Sequence, residues 1–217
     1  MWQGERLPGK LIVLEGTDSV GRSTQITRLR TWLEAGGHAV VDTGLNRSLL
    51  TQPGLDAAKK GHALGRTTLS LFYATDFADR HENQILPALK AGFYVLADRY
   101  FYSICARDIV RGADPSWTRG IYEFALVPDL VLYLRVDLDH LIDRVVSGTG
   151  FNYWESGLDI GLGDNLYDSF CEYQTRLMAQ LDRMVDEYNF QSVDANRPPD
   201  EILADLKGRI AAITRSE

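Results

Sequence analysis

The sequence predicts a three-layer α/β domain in which one five-stranded parallel sheet is flanked by helices on both faces. Three observations predict it. Apolar runs of strand length alternate with longer helical stretches along the whole chain, and that alternation demands right-handed β-α-β crossovers and a sheet covered on both sides. A glycine-rich turn, "EGTDSVGRSTQ" at residues 15–25, joins the first strand to the first helix. Charged residues stand just beyond the apolar part of several strands, at the edge where open α/β sheets bind their ligands. A length of 217 residues fits one domain over 1–217.

The elements follow in order. "KLIVLEG" reads as a buried strand, because Leu11 to Leu14 is a continuous apolar run closed by a glycine turn. From Ser23 to about Ala35 the spacing of Ile26, Leu29, Trp32 and Leu33 predicts a helix, stopped by Gly36 and Gly37. "HAVVDT" is the second strand, and residues 44–67, with Pro53 and several glycines, predict a loop and one short helix. A long helical stretch runs from Thr68 to Lys90, followed by a third strand, "FYVLADRY". Residues 101–127 predict two helices around "RGADPSW", then "DLVLYLRV" a fourth strand and a helix through about Val146. The Gly-rich, aromatic segment at about 147–165 reads as an irregular excursion over the surface. A helix from Leu166 to about Tyr188, a fifth strand "FQSVDA" and a last helix complete the pattern.

Composition excludes several classes. Net charge is −7, so no broad basic face is expected for a nucleic-acid polymer, and phosphate binding must rest on a few placed arginines. No apolar run approaches the roughly 18 residues of a membrane span. "MWQGERLPGK" has no apolar core of a secretory signal. Cys105 and Cys171 lack metal-ligand spacing, and a cytoplasmic, reducing setting suits them.

The turn after strand one carries the strongest chemical signal. A phosphate-cradling loop reads Gly, four residues, Gly, Lys, then Ser or Thr, between a strand and a helix. Gly16, Gly21 and Ser23 fall on that pattern, with Arg22 in the lysine position. Backbone amides of Thr17, Asp18, Ser19, Val20, Gly21, Arg22 and Ser23 can form a nest for oxygens at a helix N-terminus, with Thr24 the next helical residue. Ser23 is placed to offer its hydroxyl to Mg²⁺. Arginine keeps the charge of lysine but grips as a planar fork. The domain is therefore read as P-loop NTPase-like. At the third strand's end, Asp98 suits a metal-bound water and Arg99 a phosphate, and a structural ion pair between the two is the competing reading.

These segments resemble the thymidylate kinase family. That family reads "FIxxEGxDGxGKST", "PALxxG" and "DRY"; this chain has "LIVLEGTDSVGRST", "LPALKAG" and "DRY" in the same order and at similar spacing. The resemblance implies transfer of the ATP γ-phosphoryl to dTMP or another nucleoside monophosphate, with Mg²⁺, in an enzyme that is often a homodimer. It also implies roles. Asp18 faces the sugar and the transferred phosphate, Glu15 lies under the loop near metal-bound waters, Arg99 holds the acceptor phosphate, and Phe72 stacks on the acceptor base.

The chain departs from that pattern in four places. Arg22 replaces the loop lysine. "GLNRS" stands where the family has "REPGG", leaving Arg47 as the arginine able to reach the acceptor phosphate. Asp76 occupies the position of a base-reading arginine, with Arg80 one turn on as a substitute donor; an acceptor-only carboxylate there predicts a base with an exocyclic amine over thymine. The lid segment, about 147–165, carries no Lys or Arg, so Arg22 is expected to combine two jobs. Its aromatics Phe151, Tyr153 and Trp154 either close over substrate or pack the lid down. Two alternatives follow from these losses: a non-catalytic ATP-binding sensor, and a related kinase with a different acceptor.

Overall fold

The computed structural model describes residues 7–61, 64–148 and 150–214. The signal-free reading of the N-terminus falls partly on residues 1–6, outside the described residues. The first strand, β1 (Lys10–Glu15), is buried along its whole length, and helix α1 (Arg22–Ala35) follows the glycine turn. Strand β2 (Val40–Gly44) leads to α2 (Gln52–Lys60) and α3 (Arg66–Arg80). The third strand, β3 (Tyr94–Asp98), precedes α5 (Phe101–Val110) and α6 (Pro115–Ile121). Strand β4 (Leu130–Arg135) is followed by α7 (Leu138–Ser147), the excursion, and α8 (Leu166–Tyr188). Strand β5 (Gln191–Asp194) and α9 (Pro199–Thr214) end the fold.

The five strands form one parallel sheet in the order β2-β3-β1-β4-β5. Alternation along β1 assigns its side chains to opposite layers. Leu11 and Val13 pack with Phe77, Ile104 and Leu177 on one face, while Ile12 and Leu14 pack with Leu29, Leu141 and Leu206 on the other. Burial on both faces is why β1 reads as an unbroken apolar run. Register brings Leu14 and Gly44 level with Asp98, so the C-terminal ends of the three strands β2, β3 and β1 make one ledge.

One departure from the sequence reading is local. The stretch from Thr68 to Lys90 is not one regular helix: α3 passes through a π-helical turn, His81–Ile85, into α4 (Leu86–Lys90). Pro87 offers no amide hydrogen to the preceding turn, and the wider winding accommodates that break. Elsewhere caps match the boundaries. The Asp114 carboxylate accepts from the Trp117 amide at 2.8 Å at the start of α6, and the Asn165 side chain accepts from the Asp168 amide at 2.9 Å at the start of α8. Among the described residues no helix is long and apolar enough to cross a membrane.

Candidate active site

The loop from Gly16 to Gly21 bends through backbone that side chains disfavour. Gly16 has φ +146°, and a Cβ there would stand 2.9 Å from the Leu134 carbonyl oxygen; Gly21, at φ +98°, begins α1. Thr17 and Val20 are buried beneath the loop, while Ser23 and Thr24 are exposed at the helix start. The Arg22 side chain is buried and turned back under the loop. Its Nε donates to Asp98 Oδ1 at 2.8 Å, and Nη1 donates to the carbonyl oxygens of Gly16, at 2.8 Å, and Thr17. The second oxygen of Asp98 accepts the Ser23 hydroxyl at 2.7 Å. Burial alone would raise the Asp98 pKa, but the Arg22 charge and the Ser23 hydrogen bond hold it below the usual carboxylate range.

Asp98 and Arg99 leave the sheet together yet pair with different partners. Arg99 sits at φ +70°, an uncommon conformation for a side chain of this size, fixed by its amide bonding to the Leu14 carbonyl at 2.9 Å. This turn points its guanidinium at Asp18, which also accepts from Arg107 Nη2 at 2.6 Å. Burial would raise the Asp18 pKa, and Arg107 and Arg99 together hold it far below the ordinary value. Arg99, buried beside Arg107 and Arg22, is pushed down to about 10 and stays charged at neutral pH. Glu15 is fully buried under this turn, its two oxygens accepting the Tyr100 amide at 2.9 Å and the Ser103 hydroxyl. Burial raises its pKa. Its contact with the site runs through the β3–α5 turn that it braces.

Two neighbouring spaces open at the ledge. A cleft of about 380 Å³ is lined by Ser19, Arg22, Ser23, Arg47, Asp98 and Arg99. Beyond it, a cavity of about 220 Å³ has apolar walls from Leu69, Tyr73 and Ile104, with Arg107 and Asp108 on α5. Asp18, Leu45 and Glu155 line both, so the two spaces are neighbours at the ledge. Arg47 reaches the cleft while its Nη1 donates to Asp42 at 3.0 Å.

Three residues read from the sequence as acceptor contacts lie elsewhere. Phe72 packs on α2, where a Cβ at Gly54 would meet its ring at 3.4 Å; the cavity wall belongs to Tyr73, one residue on. A 100° step per helical residue separates their directions. Asp76 is completely buried and accepts from the amides of Asn46 at 3.1 Å and Ser48 at 2.9 Å. Arg80, also buried, donates to Asp76 at 3.0 Å through Nε. This pair anchors the loop after β2 and faces no part of the cavity, which removes the basis for expecting an amine-bearing base.

The comparison with known proteins is decisive at this point: residues 14–206 match the family model described as thymidylate kinase. The chain belongs to the thymidylate kinase family. "Probable thymidylate kinase 2" of Saccharolobus solfataricus is 38% identical over 202 residues, covering 92% of this chain and 94% of that protein. "Thymidylate kinase" of Leifsonia xyli subsp. xyli is 32% identical over 217 residues, covering 94% and 95%. "Probable thymidylate kinase" of Staphylothermus marinus is 29% identical over 210 residues, covering 92% and 93%.

In this family member the segment at 147–165, described except for Thr149, supplies cavity wall through Asn152, Trp154 and Glu155. Arg111 holds it down, donating from Nε to Asp159 at 2.7 Å, from Nη2 to the Trp154 carbonyl at 2.8 Å, and from Nη1 to the Tyr173 hydroxyl. Of the lid aromatics, Trp154 lines the cavity, Tyr153 lines a neighbouring surface space, and Phe151 packs on Phe170 with ring centres 4.8 Å apart. Sequence reasoning missed Tyr73, Asp108 and Glu155, and left Arg107 and Arg111 without a role. The available signal was the spacing of Ile104, Arg107, Asp108 and Arg111, which is i, i+3, i+4 and i+7 on one helix face.

Proposed function

We propose that this chain transfers the γ-phosphoryl group of ATP to thymidine monophosphate. The observation that carries this reading is the adjacency of the loop cleft and the aromatic-walled cavity, which share Asp18, Leu45 and Glu155 as lining. Phosphoryl transfer demands little covalent chemistry from the protein; in-line positioning and charge neutralisation do the work. The loop amides take the donor phosphates, and Arg22, held beneath them by Asp98 and the loop carbonyls, adds positive charge at the cleft. Arg99, set by its turn, takes the acceptor phosphate, with Arg47 at the cleft mouth. Asp18 holds Arg99 and Arg107 in place and faces the sugar between the two spaces. Tyr73 offers its ring to the base, and Trp154 and Glu155 of the lid keep water out.

The residues present fit Mg²⁺. A hydroxyl and a carboxylate oxygen, Ser23 Oγ and Asp98 Oδ2, stand 2.7 Å apart beside the loop, and this ion takes one or two protein oxygens along with substrate phosphates. When bound, Mg²⁺ neutralises charge on the donor phosphates; Ser23 and Asp98 would hold it, and Glu15 supports them from below. Two unpaired cysteines, Cys105 and Cys171, suit the cytoplasm, and the family resemblance points to a homodimer.

The test is ADP release with Mg²⁺ and ATP over dTMP, dCMP, dAMP and dGMP. The expected result is fastest release with dTMP. ATP binding without ADP release with any monophosphate would replace this reading with a sensor.

A further inference from the structure

Asp108 is a buried carboxyl that the transfer chemistry does not use. It lies on α5 one turn beyond Ile104 and lines the cavity. One oxygen, Oδ2, accepts the Ser70 hydroxyl from α3. Its other oxygen takes no hydrogen bond among the described residues. The same residue, with Arg111, also borders an outer cavity of about 360 Å³. Of the three carboxyls that line this cavity, Asp18 is held by Arg99 and Arg107, and Glu155 is only partly buried.

Distance along α5 agrees with this placement. The acceptor phosphate is held at Arg99, before the first residue of α5, Phe101. Asp108 lies seven residues further, about 10 Å along the axis at ~1.5 Å per residue. That is of the order of the reach from the phosphate of a nucleotide to the far edge of its base.

We infer that Asp108 reads the acceptor base, its free carboxylate oxygen accepting the ring N3–H of thymine; this rests on the nucleotide-acceptor reading above. An ionised carboxylate is acceptor-only. Thymine presents a hydrogen at N3, whereas cytosine presents a bare lone pair there, which a carboxylate repels. Selectivity for thymine over cytosine then comes from Asp108, in a chain whose residue at the base-reading position of α3, Asp76, is occupied with a loop. Burial pushes the Asp108 carboxyl up to about 6, opposed by Ser70, Arg111 and Arg107, so it remains mostly ionised at neutral pH. The charged and titratable groups around it are Arg107 and Arg111 on α5, Cys105 one turn back, and Tyr122 after α6.

The test measures binding directly by calorimetry, so that failure of phosphoryl transfer is scored separately. dTMP and its N3-methyl derivative are titrated into the full chain and into Asp108→Ala, whose smaller side chain leaves room for the methyl group. Wild type is expected to bind the methylated nucleotide about 10- to 100-fold more weakly, the worth of one hydrogen bond to a charged group. In Asp108→Ala the methyl penalty falls below about threefold. An equal penalty in both proteins overturns the inference. Should the alanine variant not fold, Asp108→Asn decides: its amide can turn a donor toward cytosine N3, so the dTMP-to-dCMP affinity ratio narrows at least fivefold. An unchanged ratio overturns the inference equally. Absent ADP release with normal dTMP binding would count against the proposed transfer alone.

Discussion

Buried Arg22 pairs with partly buried Asp98 beside the phosphate loop, with Arg22 Nε 2.8 Å from Asp98 Oδ1. The guanidinium simultaneously donates to the Gly16 and Thr17 carbonyls through Nη1, so its contacts are spread over two nitrogens of a planar fork, where an ammonium offers all its donors from one. Arg22→Lys is therefore expected to keep ATP binding within about threefold and not to raise turnover. Calorimetry with MgATP and steady-state ADP release check both parts. A clear gain in turnover would show that arginine is a handicap here.

Asp98→Asn leaves the buried Arg22 charge without its counterion. Breaking one partner of a buried pair costs about 3–5 kcal/mol, so urea unfolding should show a loss of about that size. Mg²⁺-dependent activity should fall in parallel, since the same carboxylate accepts from Ser23. A variant as stable as wild type would mean that loop carbonyls alone satisfy the guanidinium.

Much of this architecture was legible because it is periodic. Burial on both faces makes β1 and β4 unbroken apolar runs, and the residues after each strand collect at one ledge by the topology alone. Leu166–Tyr188 was readable to its ends because Asn165 caps the start and Asn189, at φ +55°, closes it. The acceptor cavity was less legible for physical reasons. Its walls come from α3, α5 and the lid, and a one-residue shift on α3 exchanges Tyr73 for Phe72. Asp76 looked like a base reader because nothing in the sequence announces that the Asn46 and Ser48 amides use its oxygens. Arg107 and Arg111 were indistinguishable from surface arginines until α5 was placed against Asp18 and Asp159.

Tyr73 and Phe72 give a direct discrimination. Base–aromatic stacking is worth about 1–3 kcal/mol, so Tyr73→Ala should raise the KM for dTMP by about 5- to 100-fold. Phe72→Ala should leave that KM within about twofold and lower thermal stability through lost packing on α2. Steady-state kinetics with both variants checks the assignment, and the reverse ranking would restore Phe72 as the stacking residue.

Asp18 sits between Arg99 and Arg107, and its pKa is lowered in the folded protein. A depressed carboxylate contributes stability that is fully present above its unfolded pKa, about 3.9, and is lost as pH falls toward the folded value. The stability difference between wild type and Asp18→Asn should thus be flat from about pH 5 to pH 8 and shrink below about pH 4. Urea unfolding across that range measures it. A difference that changes between pH 6 and 7 would place the relevant titration elsewhere.

Transfer of a labelled γ-phosphoryl from ATP to dTMP in a single turnover, with enzyme in excess and Mg²⁺ present, probes the central claim most directly. The neighbouring cleft and cavity predict label in dTDP, with the rate reduced by about 10³-fold or more in Arg22→Ala, the scale of a charge-stabilising arginine in phosphoryl transfer. Both nucleotides bound, with the label remaining in ATP through many times the expected turnover time, would contradict it.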